Sequence, residues 1–371
     1  MKGSRKFLYL SIICLMLITV FIPVVFGCSG VQPPATSAPT SAPTSATTPA
    51  TKPITLKYHS WMPEGHPATS WYKVWQDKVV EKSGGQIQFQ NYYGGELGTA
   101  ADQMSNMNSG LFDIGHVSIG KDPSRLPLTQ IASLPWVPSF RSAARYYAVC
   151  DLNELKPMQD EWAQWGVKFL WPISMTDLYC LFLVDKPVYT VADIKGLTIF
   201  GTGKMGNALL LAGANPIDPD PAEEYEMLQK KIVDGGATTF PSATSRKLWE
   251  VCDYVSTIWL GWGGPQLGIS LRAYNSLPES SKQAIAEATK EYGLWQDSEE
   301  AKFAASARKG FEDNGMKVID FPAAEQKKYE DLATTKITEE WIKEVEAKGL
   351  PGRMVYETLR DAAKKYENQY K

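Results

Sequence analysis

From Ile54 onward the chain switches repeatedly between two hydrophobic periods, and this alternation limits the folds open to it more than any other feature. Ile54-Thr55-Leu56-Lys57-Tyr58-His59 has the period of two expected of a strand, and Pro67 to Lys82 comes next with Trp71, Trp75 and Val79 on one helical stripe. Gly84-Gly85 ends that helix. Gln86 to Tyr92 alternates again, Thr99 to Ser109 reads as a second helix stopped by Gly110, and Leu111 to Val117 is a third strand. Strands separated by helices of this length pair in parallel, because a crossover of a dozen or so residues is needed to return to the same sheet. The expectation is an α/β fold, an open sheet with helices on both faces.

The segment before Ile54 has a different character. Lys2, Arg5 and Lys6 precede an apolar run from Phe7 to Val25, the order of an export signal. The run ends in Val25-Phe26-Gly27-Cys28, which resembles a bacterial lipoprotein cleavage site, so residues 1–27 read as a signal peptide and Cys28 as the lipidated first residue. An uncleaved anchor is the alternative, since about 18 apolar residues cross a bilayer. Either reading puts the bulk of the protein outside the cytoplasm, held at a membrane. Residues 28–53 are rich in Pro, Ala, Thr and Ser and read as an extended stalk. The part beyond this stalk is large enough for two lobes: the chain has 371 residues, 44% hydrophobic and 11% aromatic. Its formal charge of −3 becomes more negative once the three basic residues of the signal are removed, so nothing invites nucleic acid.

Motifs with catalytic potential are few. Gly201-Thr202-Gly203-Lys204-Met205-Gly206 comes after a strand and opens a helix, the pattern of a dinucleotide-binding turn, with Asp218 and Asp220 near the distance of a ribose-binding acid. That reading needs a buried second strand, and Asn215 to Pro221 holds three prolines, which cannot donate to a central ladder. The turn is read instead as a strand-to-helix connection lining a cleft, where backbone N–H groups with Lys204 nearby form a ready anion site. His59, Glu64 and His66 are interrupted by Pro63 and followed by Pro67, so no helix aligns them for a metal. No serine sits in a nucleophile elbow and no carboxylates are paired for acid–base work, so an enzyme and a cofactor are both unsupported. Of the five cysteines, Cys150, Cys180 and Cys252 lie in the folded part; their spacing implies no metal or redox motif and leaves one disulfide or three buried thiols open.

Several segments together resemble the TRAP-transporter solute-binding proteins. They are Lys186-Pro187-Val188, then Val191 to Phe200 with Asp193-Ile194-Lys195-Gly196-Leu197 at its centre, then Gly213-Ala214-Asn215-Pro216 and Ile232-Val233-Asp234-Gly235. Glu81 to Gly85, Tyr93 to Gly98, Asn108 to Asp113 and Leu134-Pro135-Trp136-Val137 extend the likeness over the whole mature region in the family's order. The resemblance implies a two-lobed periplasmic-binding-protein-like fold with a hinge, and a long helix opening at Ser276-Leu277-Pro278-Glu279 that spans both lobes. It assigns residues 54–177 and 266–305 to lobe I, with 178–265 and 306–371 in lobe II. Leu170 to Leu183 and Leu197 to Phe200 are expected to be strands of the second lobe, and the charged C-terminal helix from Ile337 a solvated cover on one lobe.

The family's ligand residues depart together in this sequence. Phe200 stands where relatives carry an arginine that clamps a carboxylate, Cys180 fills a second basic position, Gly263 replaces an asparagine, and Gly236-Ala237-Thr238 replaces Gln-Glu-Asn. The alignment therefore implies contacts from Phe200, Tyr179, Cys180, Thr238, Thr239, Trp262, Gly263, His116 and Ser118, with Trp61, Trp136, Trp171 and Trp259 near the cleft. Such a lining suits a small organic acid or an aromatic or cyclic compound better than a plain dicarboxylate. Any of Lys121, Arg125, Arg141, Arg145 and Arg246 is able to replace the missing clamp. The implied partners are a small-molecule ligand, TRAP-type permease subunits and, through the lipid anchor, the membrane. An exported enzyme using the Gly201–Gly206 turn and a ligand sensor are the alternatives.

Overall fold

The computed structural model describes residues 52–121, 123–135, 142–172, 179–261 and 266–370. In chain order, β1 (Ile54–His59), α1 (Pro67–Lys82), β2 (Ile87–Tyr92), α2 (Gln103–Ser109), β3 (Ile114–Val117), α3 (Ser142–Asn153), α4 (Lys156–Ala163) and β4 (Val167–Pro172) build the first lobe. A second group comes next: β5 (Tyr179–Leu183), β6 (Thr198–Phe200), α5 (Gly203–Leu211), β7 (Asn215–Ile217), α6 (Glu224–Gln229), β8 (Gly235–Thr239), α7 (Phe240–Ser245) and β9 (Tyr254–Ser256). The chain then runs through β10 (Gln266–Ser270), α8 (Leu271–Ser276), α9 (Glu279–Asp313), β11 (Lys317–Ile319), α10 (Ala323–Glu346) and α11 (Gly352–Gln369).

The strands form two sheets. One has the order β2-β1-β3-β10-β4 and the other β11-β9-β5-β8-β6-β7. The β1–β2 and β1–β3 pairs are parallel, as the strand and helix spacing predicts, while β10 inserts antiparallel between β3 and β4. The main chain thus changes sheet three times, between β4 and β5, between β9 and β10, and between β10 and β11. Two features differ from the sequence expectation. Leu170 and Trp171 lie in β4 of lobe I, because β4 pairs with β10, so only Tyr179 to Leu183 belongs to the second sheet. The second helix starts at Gln103, four residues later than read, because Asp102 accepts from Thr99 N and Oγ1 and holds residues 99–102 as a turn.

The long helix α9 couples the lobes. Over its 35 residues it packs on α1 and α3 at one end and on α7 and β11 at the other. In lobe I, Trp75 Nε1 donates to Thr289 Oγ1 at 3.1 Å and Tyr146 OH to the Thr289 carbonyl at 2.8 Å. Gly293 is required there because a Cβ would lie 2.5 Å from the Tyr146 ring. In lobe II, Phe311 is fully buried between Phe182 and Phe240. The C-terminal pair straddles both lobes: α10 packs on α5 in lobe II, with Trp341 Nε1 donating to the Pro127 carbonyl of lobe I at 2.9 Å, and α11 packs on α3. Residues 352–369 thus pack on a helix of the first lobe.

Candidate ligand-binding cleft

A narrow cavity of about 50 Å³, partly open to solvent, lies between the lobes. Trp61, Ser118 and Lys121 reach it from lobe I, and Tyr179, Phe200 and Thr238 from lobe II. Its position comes from the topology: Phe200 ends β6 and Thr238 lies near the end of β8, two parallel strands whose carboxyl ends open at this edge. Phe200 and Gly236 are register partners, and the Phe200 ring covers the glycine so closely that a Cβ there would sit 1.8 Å from Cζ. The aromatic side chain and the missing side chain are therefore one feature.

The charged residues are paired rather than free. Arg246 Nη1 donates to Glu224 Oε2, both within lobe II and both lining the cleft. Lys121 of lobe I pairs with Asp218 of lobe II, and its ammonium also donates to the Pro219 carbonyl at 2.7 Å. Burial pushes the Glu224 carboxyl up from its ordinary value, and Arg246 and Lys121 oppose that shift. A second contact crosses the cleft: His66 caps α1, accepting from Ala68 N at its Nδ1 (3.1 Å), so its Nε2 is left to donate to Ser242 Oγ at 3.3 Å. Burial, reinforced by the Arg246 guanidinium, lowers the His66 pKa to about 3. The neutral imidazole is thus the form that fits between the lobes.

The sequence-derived residues divide into three groups. Phe200, Tyr179, Thr238 and Ser118 share the cleft, joined by Trp61, Lys121 and Arg246. Cys180, His116 and Thr239 do not line it. Cys180 alternates with Tyr179 on β5 and is buried with Phe182 and Val184 in the lobe II core. His116 is fully buried beneath the lobe I surface, 2.6 Å from Tyr58 OH and 3.3 Å from Ser60 Oγ. Thr239 caps α7 by accepting from Ser242 N. Trp262, Gly263, Cys28, Trp136 and Arg141 lie outside the described residues. Trp171 is a core residue packed at tilted angles against the rings of Tyr72, Trp75 and Tyr292.

The glycine turn lines the cleft through Gly201 and Thr202, but Lys204 is not among the lining residues. Lys204 turns away to Glu344 on α10 at 2.6 Å, and Gly120 of lobe I abuts Thr202 and Gly203 at the start of α5. Gly206 packs against the Gly201 carbonyl, where a Cβ would approach to 2.7 Å. Pro216 sits in β7, an edge strand, where its missing N–H costs the ladder nothing. Asp218 serves the lobe contact with Lys121. Cys150, Cys180 and Cys252 are free thiols, and among the described residues no group of three or more ligating side chains is placed for a metal. Glu224 escaped sequence reasoning: it sits in an acidic stretch, Glu223-Glu224-Tyr225-Glu226, that reads as a solvated helix start.

The model of bacterial extracellular solute-binding protein family 7 (DctP) matches residues 58–344. The chain belongs to this family. As a family 7 member it is a solute-binding protein and not an enzyme, and it works outside the cytoplasm. It is 25% identical over 283 residues to a solute-binding protein of Chromohalobacter salexigens, spanning 73% of this chain and 81% of that one. It is 23% identical to the 2,3-diketo-L-gulonate-binding periplasmic protein of Escherichia coli over 277 residues, 74% of this chain and 82% of the relative. Its fold matches that of a TRAP solute-binding protein from Rhodoferax ferrireducens in complex with benzoate, with a TM-score of 0.75 at 23% identity, covering 86% of this chain and all of the other. A marine-metagenome TRAP protein in complex with 3-hydroxybenzoate superposes equally well, at 0.75 and 22% identity over 85% of this chain. Among the described residues of this solute-binding protein, no helix is long and apolar enough to cross a membrane.

Proposed function

We propose that this solute-binding protein captures a small cyclic carboxylic acid between its lobes and delivers it to a TRAP-type permease, tethered to the membrane through lipid on Cys28. The observation that carries the ligand class is the position of Arg246 beside Trp61 and Phe200 in one cavity. With Phe200 in place of a clamping arginine, the guanidinium of Arg246 is the strong carboxylate donor left in the cleft, and the aromatic side chains of Trp61 and Phe200 line the same cavity. Each cation of the cleft already carries a carboxylate partner, so one further negative charge is tolerated better than two. The relatives solved with benzoate and 3-hydroxybenzoate support the same class.

Capture requires that the closed form contact the ligand better than the open form does. The Lys121–Asp218 and His66–Ser242 contacts join the lobes and would be broken by hinge opening, so they belong to the closed form. A thermal-shift series on the chain without its signal segment tests the ligand class. A cyclic acid at about one hundred times its Kd adds roughly 2.7 kcal/mol. Strong stabilisation by succinate with none from benzoates or uronates would overturn the reading. Retention of the Cys28→Ser variant at the membrane would overturn the lipid tether.

A further inference from the structure

The cleft contains a buried carboxylate that is only half used. Among the described residues with buried acidic side chains, Glu161 shows what a structural role looks like: Oε1 accepts from Leu128 N, and Oε2 accepts from Thr129 N and Thr129 Oγ1. Glu224 is comparably buried, 7% exposed, yet only its Oε2 is engaged, by Arg246. Its Oε1 has no hydrogen-bond partner among the described residues, and the side chain lines the cavity shared by Trp61 and Phe200. The guanidinium answers for only one of the two carboxylate oxygens, and the other is left to the partly open cleft. That oxygen is free to accept from a donor that enters the cavity.

We propose that Glu224 determines specificity: its Oε1 accepts a hydrogen bond from a hydroxyl or amino substituent on the ligand, while Arg246 holds the ligand's carboxylate. The cleft then takes a hydroxy- or amino-substituted cyclic acid in preference to the bare acid. This rests on the reading of the cleft as a site for cyclic carboxylic acids. The same pairing has a second consequence. Glu224 occupies part of Arg246, so removing it frees donors for a second carboxylate oxygen and shifts preference toward unsubstituted acids.

Calorimetric titration of the full chain with benzoate and with 2-, 3- and 4-hydroxybenzoate tests this. The wild type is expected to bind at least one hydroxybenzoate about tenfold or more tighter than benzoate, the scale of one hydrogen bond to a charged group. In Glu224→Ala that ratio falls to about one while benzoate binding persists or tightens. Glu224→Gln, which keeps the volume but turns an amide N–H₂ toward the ligand or the arginine, also loses the preference. An unchanged ratio in these variants overturns the inference and leaves the cyclic-acid reading standing, as does a wild type that prefers benzoate. Binding of succinate with no binding of any benzoate overturns both. If neither variant folds, the wild-type ratio decides.

Discussion

Phe200 and Gly236 face each other across the β6–β8 pair, and the Phe200 ring occupies the space that any side chain at 236 would need. A Cβ at 236 would lie 1.8 Å from Cζ and 2.1 Å from Cε1, well inside contact distance. Gly236→Ala is therefore expected to lower stability by about 1–3 kcal/mol, the usual cost of overpacking. In a Phe200→Ala background the same change should cost far less, because the obstructing ring is gone. Equal costs in both backgrounds, read from denaturant midpoints, would show that the ring and the glycine are independent.

Phe200→Arg places a guanidinium at the end of β6, in the cavity wall. Carboxylate ligands should then bind more tightly, dicarboxylates most of all, with a gain on the order of tenfold for a charge-assisted hydrogen bond. Titration with succinate and benzoate checks this, and unchanged affinities would mean that position 200 does not face the ligand.

Ligand affinity should fall in acid through His66. Its pKa is lowered to about 3 in the closed form, where Arg246 faces it and Ser242 accepts its Nε2–H. A group with a lowered folded-state pKa stabilises while deprotonated: the contribution is complete above the ordinary histidine value and is lost as pH falls from there toward about 3. If opening exposes His66 and restores its ordinary value near 6.5, affinity at pH 5 should be about thirtyfold weaker than at pH 7.5. His66→Asn keeps an α1 cap and removes the titration, so its profile should be flatter, with the residual slope belonging to Glu224. Parallel profiles for the two proteins would remove His66 from closure.

Lys121→Met cuts the inter-lobe ion pair with Asp218 while keeping the apolar stem of the side chain. Because Asp218 is partly exposed, the expected effect is modest, about 0.5–1 kcal/mol in ligand affinity, with little change in melting temperature. Small-angle scattering of the unliganded variant should show a larger radius of gyration than the wild type. A changed melting temperature with unaltered affinity would make this a packing contact and not a closure contact.

Phe311→Ala tests the coupling of α9 to lobe II. Loss of a fully buried ring between Phe182 and Phe240 should cost about 3–5 kcal/mol. Thermal unfolding monitored by tryptophan fluorescence and by circular dichroism should show the loss, and a cost under about 1 kcal/mol would mean that the helix end is held elsewhere.

Local pattern was enough to specify much of this molecule. The period-two runs at Ile54 and Gln86, the Trp71-Trp75-Val79 stripe and the Ser276-Leu277-Pro278-Glu279 helix start depend on neighbours within a few residues, and each is where its pattern says. The family landmarks from Lys186 to Gly235 also carried the function, and with it the expectation that Phe200, Tyr179, Thr238 and Ser118 would meet. Contacts between distant parts of the chain were beyond such reasoning. Cys180 is adjacent to Tyr179 in sequence, yet alternation on β5 sends neighbouring side chains to opposite faces, and only the packing of lobe II tells which face meets the cleft. Lys204 has the local surroundings of a cleft cation, but α10, more than a hundred residues later, supplies Glu344 and draws it away. Arg246 and Glu224 are 22 residues apart in unremarkable surroundings, and the fold alone brings them together in the cavity that Trp61 also lines. Sequence determined the lobes and the role, because both are set by local periodicity and ordered motifs; tertiary structure decided which charges stand in the cleft, because pairing depends on where separate elements converge.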